Sequence, residues 1–468
     1  MAEVAASQVR LRTPTGRAVV AAATLGSGMT LLDGTVVNVA LRTIGRELDA
    51  SLAELQWISN GYLLSLAALI LLGGSLGDRY GRRRIFVVGT VWFAAASALC
   101  GLAPNPEVLI AARVLQGIGG GLLTPGSLAM IQGAFVPDDR SPAIGAWTGF
   151  GGIAAAVGPF VGGALIEVAS WRWIFLINVP LAALTIWIAQ RHVPESRSSA
   201  PPRHFDVAGA VLAMVALAGV TYGLIGWGER AAVWAGLLGL GAGVAFVLVE
   251  ARLREPMLPP AIFRSRVFSS ANAMTLVVYA ALGAILFFLV LQLQTVAGWT
   301  PLAAGVATLP ITVVMLLLAA RGGRLAVRIG PRIPLTTGPL LMAGGTLLLR
   351  AADAETSYVL DVLPGLTVFA LGLALMVAPL TATVLAAAPD DLTGLASGVN
   401  NAIARSGSLL AVAALPPLVG LSGQDYDVAP SLDAAYDTAL LVSAGLLVVG
   451  ALLAWVLLVP ERGVRRKP

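Results

Sequence analysis

Gly73-Gly74-Ser75-Leu76-Gly77-Asp78-Arg79-Tyr80-Gly81-Arg82-Arg83-Arg84 closes one long apolar stretch and opens the next. Far downstream, Gly322-Gly323-Arg324-Leu325-Ala326-Val327-Arg328-Ile329-Gly330-Pro331-Arg332 stands between two other apolar stretches in the same way. The leading glycine pair, the Leu, the central Arg and the later Gly fall in register without a gap. A second echo pairs Pro137-Asp138-Asp139 with Pro389-Asp390-Asp391. Positive-inside bias asks only for Lys and Arg in such turns, so it does not account for matched glycines. The echoes therefore point to two copies of one unit. Parallel repeats of this kind put a substrate path at the interface between halves, near the bilayer midplane.

The flanking stretches set the environment. Of 468 residues, 57% are hydrophobic and 12% charged, with mean hydropathy +0.85. An ordinary soluble domain is roughly 25% charged, and its exterior must be wetted. Lipid admits only helices or closed barrels, and a helix needs about 20 apolar residues to cross. The runs here are far longer than the roughly 10-residue alternating segments of an outer-membrane barrel. Spans are predicted near 18–41, 54–76, 85–103, 107–132, 142–167 and 172–190, then near 207–228 and 231–250. Six more are predicted near 268–294, 302–320, 333–350, 359–386, 394–420 and 438–459. The expected fold is an all-α polytopic membrane protein of about fourteen spans by the length criterion. Residues 1–190 form one six-helix bundle, 191–267 an inserted pair with its linkers, and 268–468 a second six-helix bundle.

An even count puts both termini on one side, and the Arg clusters choose it. They are Arg10, Arg12 and Arg17; Arg79, Arg82, Arg83 and Arg84; Arg191, Arg197 and Arg203; Arg252, Arg254, Arg264 and Arg266; Arg321, Arg324, Arg328 and Arg332; and Arg462, Arg465, Arg466 and Lys467. All belong to termini or to loops of the same parity. The opposite loops carry Arg42, Arg46, Arg172, Arg230 and Arg350, and one of them, 422–437, is acidic. By the positive-inside rule the clustered side is cytoplasmic. The sequence pI of 9.8 then reports topology, with no need for a nucleic-acid partner. No cleavable signal is evident, since the first run is too long for a signal core and ends in no small-residue cleavage site. Lone Cys100 excludes an internal disulfide and a cysteine metal cluster, and His192 and His204 are too sparse for a metal site. The preference for Arg over Lys hints at a GC-rich bacterial genome.

The Gly74, Asp78, Arg79, Gly81, Arg82 and Arg84 string resembles the signature loop of the major facilitator superfamily. The wider pattern is similar to that superfamily's fourteen-helix drug:proton antiporters. Leu32-Asp33-Gly34-Thr35-Val36-Val37-Asn38-Val39-Ala40-Leu41 resembles their first-helix motif, with Arg42 where a Pro is usual. Arg113-Val114-Leu115-Gln116-Gly117-Ile118-Gly119-Gly120-Gly121 resembles the fourth-helix motif, whose Arg the family implicates in proton coupling. Gly145 through Gly158-Pro159-Phe160-Val161-Gly162-Gly163 resembles the fifth-helix antiporter motif, with Ala154 where the pattern has Gly. Trp171-Arg172-Trp173-Ile174-Phe175-Leu176-Ile177-Asn178-Val179-Pro180 is also typical of the group. The resemblance spans nearly the whole chain. It implies a bacterial cytoplasmic-membrane exporter working by alternating access, with the signature loop as a latch that breaks as the halves rock. Taken one at a time, the glycine strings are also compatible with ordinary small-residue helix packing.

Charges inside spans are costly and usually functional. Asp33, Arg113 and Arg405 lie within spans, and Glu167 sits at the outer end of one. Asp33 and Arg113 fall roughly 12 and 9 Å from the same face at 1.5 Å per residue, so the two can communicate. Burial raises a carboxyl pKa and a nearby Arg lowers it, so a changing Asp33–Arg113 distance would load or release a proton. The pair is also readable as structural, and Asp33 as a contact for a cationic substrate. Glu167 is a second proton site or an interfacial residue. Arg405 neutralises a backbone break or meets an anionic substrate. Candidate substrate contacts are Asn38, Gln116, Trp147, Gln292, Gln294, Asn400, Asn401 and Arg405, polar or amphipathic groups suited to a mostly apolar cavity.

No P-loop accompanies the helices, and no cofactor or obligate protein partner is implied beyond small molecule, proton and lipid. The leading function is proton-coupled efflux of hydrophobic, amphipathic or cationic small molecules. Alternatives are a dedicated exporter of one metabolite or self-made antibiotic, an importer of the same fold, and an intramembrane enzyme. The last is disfavoured by scarce His and Cys and by the lack of a nucleophile–base set.

Overall fold

A computed structural model describes residues 9–198, 205–253, 255–389 and 392–457. Arg203, His204, Arg254, Pro201-Pro202, Asp390-Asp391 and the basic C-terminal cluster lie outside the described residues. Helices account for nearly all the rest, and an isolated bridge between Val9 and Phe135 is the only β-type pairing among the described residues.

The first part of the chain forms α1 (Pro14–Leu48), α2 (Leu52–Tyr80), α3 (Arg82–Gly101), α4 (Pro106–Ala134), α5 (Pro137–Val168), α6 (Trp173–Leu176) and α7 (Asn178–His192). Then come α8 (Val207–Ile225) and α9 (Arg230–Arg252). The last part forms α10 (Arg266–Thr295), α11 (Pro301–Ala307), α12 (Leu309–Ile329), α13 (Arg332–Leu348), α14 (Leu363–Ala386), α15 (Thr393–Leu418) and α16 (Ala429–Leu457). Local sequence fixes many of the ends. Thr13, Ser51, Asn105 and Thr300 accept backbone N–H bonds as N-caps, and Ser51 with Glu54 completes a reciprocal capping box.

Among the described residues, twelve helical stretches are long and apolar enough to cross a membrane, with α6–α7 and α11–α12 each counted as one. Helix α13, at 17 residues, is shorter than these, and α15, with Asn400, Asn401 and Arg405, is less apolar. Both are nonetheless packed into the bundle, α13 on α14 and α16, α15 on α10 and α2. Two predicted spans are interrupted. The run 172–190 breaks at Ile177 ahead of Pro180, and 302–320 breaks at Thr308 ahead of Pro310, because proline at the start of a helix supplies no N–H to the preceding turn.

The packing pattern of the first part recurs in the last. Helix α4 packs on α2 and α3, and α14 packs on α12 and α13; α1 packs on α5 and α7, and α10 packs on α15 and α16. The echoed glycines carry this correspondence into detail. A β-carbon on Gly73 would collide with Gly121 O of α4, and one on Gly322 would come 2.5 Å from Ala374 O of α14. Gly81 and Gly330 each turn the chain at positive φ, +115° and +84°, a conformation that L side chains rarely adopt. Helices α8 and α9 pair with each other, and α8 lies against α2 and α15.

Contacts between the two parts are symmetric as well: α2 meets α15, and α5 meets α11 and α12. The hydrogen bonds joining them gather at the Arg-poor end. Leu52 N–H donates to Gly423 O (2.7 Å), Gln56 Nε2 to Val412 O (2.6 Å), and Gln294 Nε2 to Val39 O (2.9 Å). Arg42 and Arg46 both pair with Asp427, at 3.0 and 2.9 Å. The Tyr426 hydroxyl donates to Ala50 O at 2.9 Å. Burial, reinforced by the Asp427 and Asp49 charges, pushes that phenol up to about 12, so it stays a donor across the physiological range. The acidic 422–437 segment thus acts as a polar seal.

The tightest helix crossing gives a stability prediction. A β-carbon on Gly117 of α4 would overlap Ser65 Oγ and Tyr62 O of α2. Gly117→Val should therefore cost about 1–3 kcal/mol by overpacking, seen as a lower unfolding temperature in detergent. An unchanged temperature would show that α2 and α4 approach less closely.

Candidate functional site

The acid predicted in the first span faces inward. Asp33 (α1), Arg113 and Gln116 (α4), Ser97 (α3) and Asn178 (α7) meet in the interior of the first helical group, each at most 1% exposed. Arg113 Nη1 donates to Asp33 Oδ2 in an ion pair and to Gln116 Oε1 at 2.7 Å. Its Nε donates to Ile58 O at 3.0 Å. Gln116 Nε2 donates to Asp33 Oδ1 and to Ser97 Oγ, both at 2.8 Å. Asn178 Nδ2 reaches Ser97 Oγ at 3.0 Å and Asp33 Oδ1 at 3.3 Å. The guanidinium lies over the Tyr62 ring, 4.4 Å from its centroid, and 5.6 Å from that of Phe175.

The arrangement is chemically specific. Both Asp33 oxygens are occupied, and a buried charge of either sign would be severely penalised without the other. Gln116 is both acceptor from the cation and donor to the anion, so it ties the pair into one network. Glycine packing places it: Gly158 and Gly162 of α5 lie so close to α1 that a β-carbon on either would strike Thr35 Oγ1 or Val36 Cγ2. Those two residues follow Asp33 by less than a turn.

Other predicted residues separate into several places. Within the signature loop, Asp78 accepts from Arg82 Nε and Nη2 at 2.9 and 2.8 Å. Arg79 stacks on Phe205 at 5.0 Å, and the exposed Arg84 contributes its backbone N–H. Gly74 lies beside Pro125 of α4. Of the fifth-helix motif, Gly163 and Pro159 abut α11 across the two parts, and Gly145 has open space beside it.

Glu167, exposed at the end of α5, accepts the Leu302 N–H at 3.1 Å. Gln292 is spent on Ala352 O and Asp433, and Gln294 on Val39 O. Trp147 donates to Ser27 Oγ at 3.0 Å, and Asn400 donates to Asn272 and Thr275 of α10. Asn401 is exposed and returns to Ser397 O, whereas Asn38 and Arg405 are half-buried.

Four residues were not singled out as site residues from the sequence. Ser97 and Asn178 complete the Asp33 network; Asn178 offered a signal as an amide in an apolar run, Ser97 none. Glu250, at 2% exposure near the end of α9, accepts the Leu258 N–H at 2.8 Å. Glu195 accepts the N–H groups of Arg83 and Arg84 at 3.0 and 3.2 Å, capping the start of α3 from the linker. Ser196 and Ser198 flank it with backbone bonds to Arg82 and Asp78. Anions at a helix N-terminus are favourable. Glu195→Ala should cost about 1 kcal/mol, read as faster amide exchange at Arg83 and Arg84; undiminished protection would mean that the linker does not hold the loop.

The comparisons agree with this architecture. The Major Facilitator Superfamily model matches residues 23–412. The tetracenomycin C resistance and export protein of Streptomyces glaucescens is 35% identical over 404 residues, covering 85% of this chain and 75% of that protein. The methylenomycin A resistance protein of Bacillus subtilis (strain 168) is 32% identical over 458 residues, covering 96% of each. Among solved structures, a bacterial homologue of the human lysosomal transporter Spinster superposes with TM-score 0.67 at 17% identity, over 95% of this chain and 97% of that one. A D-xylose–proton symporter gives 0.64 at 17% identity, over 95% and 98%. At those identities the structures speak for the fold alone. With its family model, its antibiotic-resistance relatives and its repeated helical architecture in accord, the chain belongs to the Major Facilitator Superfamily of membrane transporters.

Proposed function

We propose that this transporter is a proton-coupled exporter of hydrophobic or amphipathic small molecules, antibiotics among them, of the fourteen-helix antiporter type. The twelve apolar stretches together with α13 and α15 make the fourteen spans. Residues 1–190 and 268–468 are the two rocking bundles, and α8–α9 are a peripheral insertion. The Arg-rich end faces the cytoplasm of a bacterial cell, with both termini there. Resistance and export relatives support the direction of transport, and the Arg-poor seal corresponds to one end state of an alternating-access cycle.

The observation that carries the coupling is the buried Asp33–Arg113–Gln116 network. When the halves rock and Arg113 draws away, Asp33 is left in apolar surroundings and takes up a proton. The return of Arg113 expels it. Glu167 sits at the seal, bonded to Leu302 across the halves, where its protonation would loosen the closed state. The Asp78–Arg82 pair and its Glu195 strap hold the opposite end as the latch.

The test separates coupling from folding. Asp33→Asn leaves Arg113 buried beside a neutral amide and should lower stability by about 3–5 kcal/mol. The double variant Asp33→Asn with Arg113→Gln removes both charges and should regain most of that stability. Neither variant should accumulate substrate inside everted membrane vesicles under a pH gradient. Gradient-driven export by the stable double variant would make the pair structural and move the proton site elsewhere.

A further inference from the structure

The intramembrane charges are unevenly answered. Asp33 is fully enclosed, with both oxygens bonded, so it offers nothing to a bound molecule. Arg405, half-buried midway along α15, has no hydrogen-bond or ion-pair partner among the described residues. Its Nη1 lies 3.9 Å from where a β-carbon on Gly34 would stand, and Tyr62 Cε1 lies at the same distance. Ser408 Oγ, donating to Tyr279 O at 2.9 Å, fixes α15 against α10 on that side.

Arg405 therefore reaches from the second bundle towards α1 and α2 of the first, at the interface where a parallel repeat places its substrate. Gly34 contributes no side chain there, so the half-buried guanidinium stands against bare α1 backbone at the interface. With Asp33 and Arg113 cancelling each other, this region carries one excess positive charge. A cation without a counter-charge in apolar surroundings is costly, and a ligand anion removes that cost. The guanidinium fork suits a carboxylate or sulfonate, and its planar face stacks on an aromatic skeleton.

We propose that Arg405 makes the transporter selective for amphipathic anions: an aromatic substrate sets its carboxylate, sulfonate or ionised phenol on Arg405, at the interface between the two helical groups. The inference rests on the exporter reading above and narrows it, against the cationic substrates that the sequence left open. Asp33, enclosed by its donors, would repel nothing and attract nothing. Arg405 would disfavour a cation by like charge and favour an anion.

The test uses the full chain in nanodiscs and two dyes of one xanthene skeleton, fluorescein as anion and rhodamine 123 as cation, with binding read by fluorescence anisotropy. Fluorescein is expected to bind the more tightly. Arg405→Gln should weaken it by roughly tenfold or more, about 1.4 kcal/mol, and leave rhodamine 123 unchanged or tighter, which also certifies a folded variant. Arg405→Lys, keeping the charge but not the fork, should fall between.

Should Arg405→Gln fail to fold, Gly34→Val sets a branched side chain against the guanidinium with the charge intact and should also lose fluorescein. Equal fluorescein affinity with and without the guanidinium overturns the proposal, as does a preference for rhodamine 123 in the intact protein, or binding of neither dye. Failure of the exporter reading would look different. The intact protein would then export no fluorescein from proteoliposomes under a pH gradient, while the binding selectivity at Arg405 stood.

Discussion

A single buried ion pair organises the first helical group. Asp33 and Arg113 are at most 1% exposed, and neither charge is tolerable there alone. Everything near them follows from that constraint. Gln116 bridges the two charges, Asn178 and Ser97 take up remaining bonding capacity, and Tyr62 and Phe175 offer ring faces to the guanidinium. Four helices, α1, α3, α4 and α7, are thereby tied together by polar atoms in an otherwise apolar interior. Such a network is sensitive to small displacements, since losing one donor leaves a charge uncompensated.

Close helix approach makes the network possible. In lipid there is no hydrophobic drive between helices, so packing of small residues carries association. The glycines of α2, α4 and α5 allow backbone to meet backbone, and their counterparts in α12 and α14 do the same. The same glycines thus serve two ends: they position the charges within a bundle, and along α5 they bring Pro159 and Gly163 onto α11 across the interface. The polar seal at the Arg-poor end joins the two parts of the chain in the state described here, with Asp427 answering Arg42 and Arg46.

The linker after α7 adds a constraint of its own. Glu195 and its serine neighbours fold back over the signature loop, so the segment leading to α8 is fastened to the turn between α2 and α3. Since α8 also rests on α2 and α15, the pair α8–α9 is anchored through α8 where the two parts of the chain meet.

Much of this was legible in the sequence because it is periodic or compositional. Long apolar runs determined the helices and their environment, and the matched glycine–arginine loops determined the internal repeat. The scarcity of intramembrane charge singled out Asp33, Arg113 and Arg405. Tertiary structure alone decided how those groups are answered. Linear spacing gives depth along a helix but not the rotational face, so it could bring Asp33 near Arg113 in height without showing that Gln116, Asn178 and Ser97 enclose the acid.

The same blindness let Gln292 and Gln294 pass as cavity groups, when their amides are engaged by Asp433 and by backbone across the seal. Glu195 gave no signal at all, because a linker carboxylate reads as solvated until the fold returns it to a helix start. Composition and repeat are properties of the chain, and so the sequence determined them. Partnership between distant charges is a property of packing, and only the packed helices decided it.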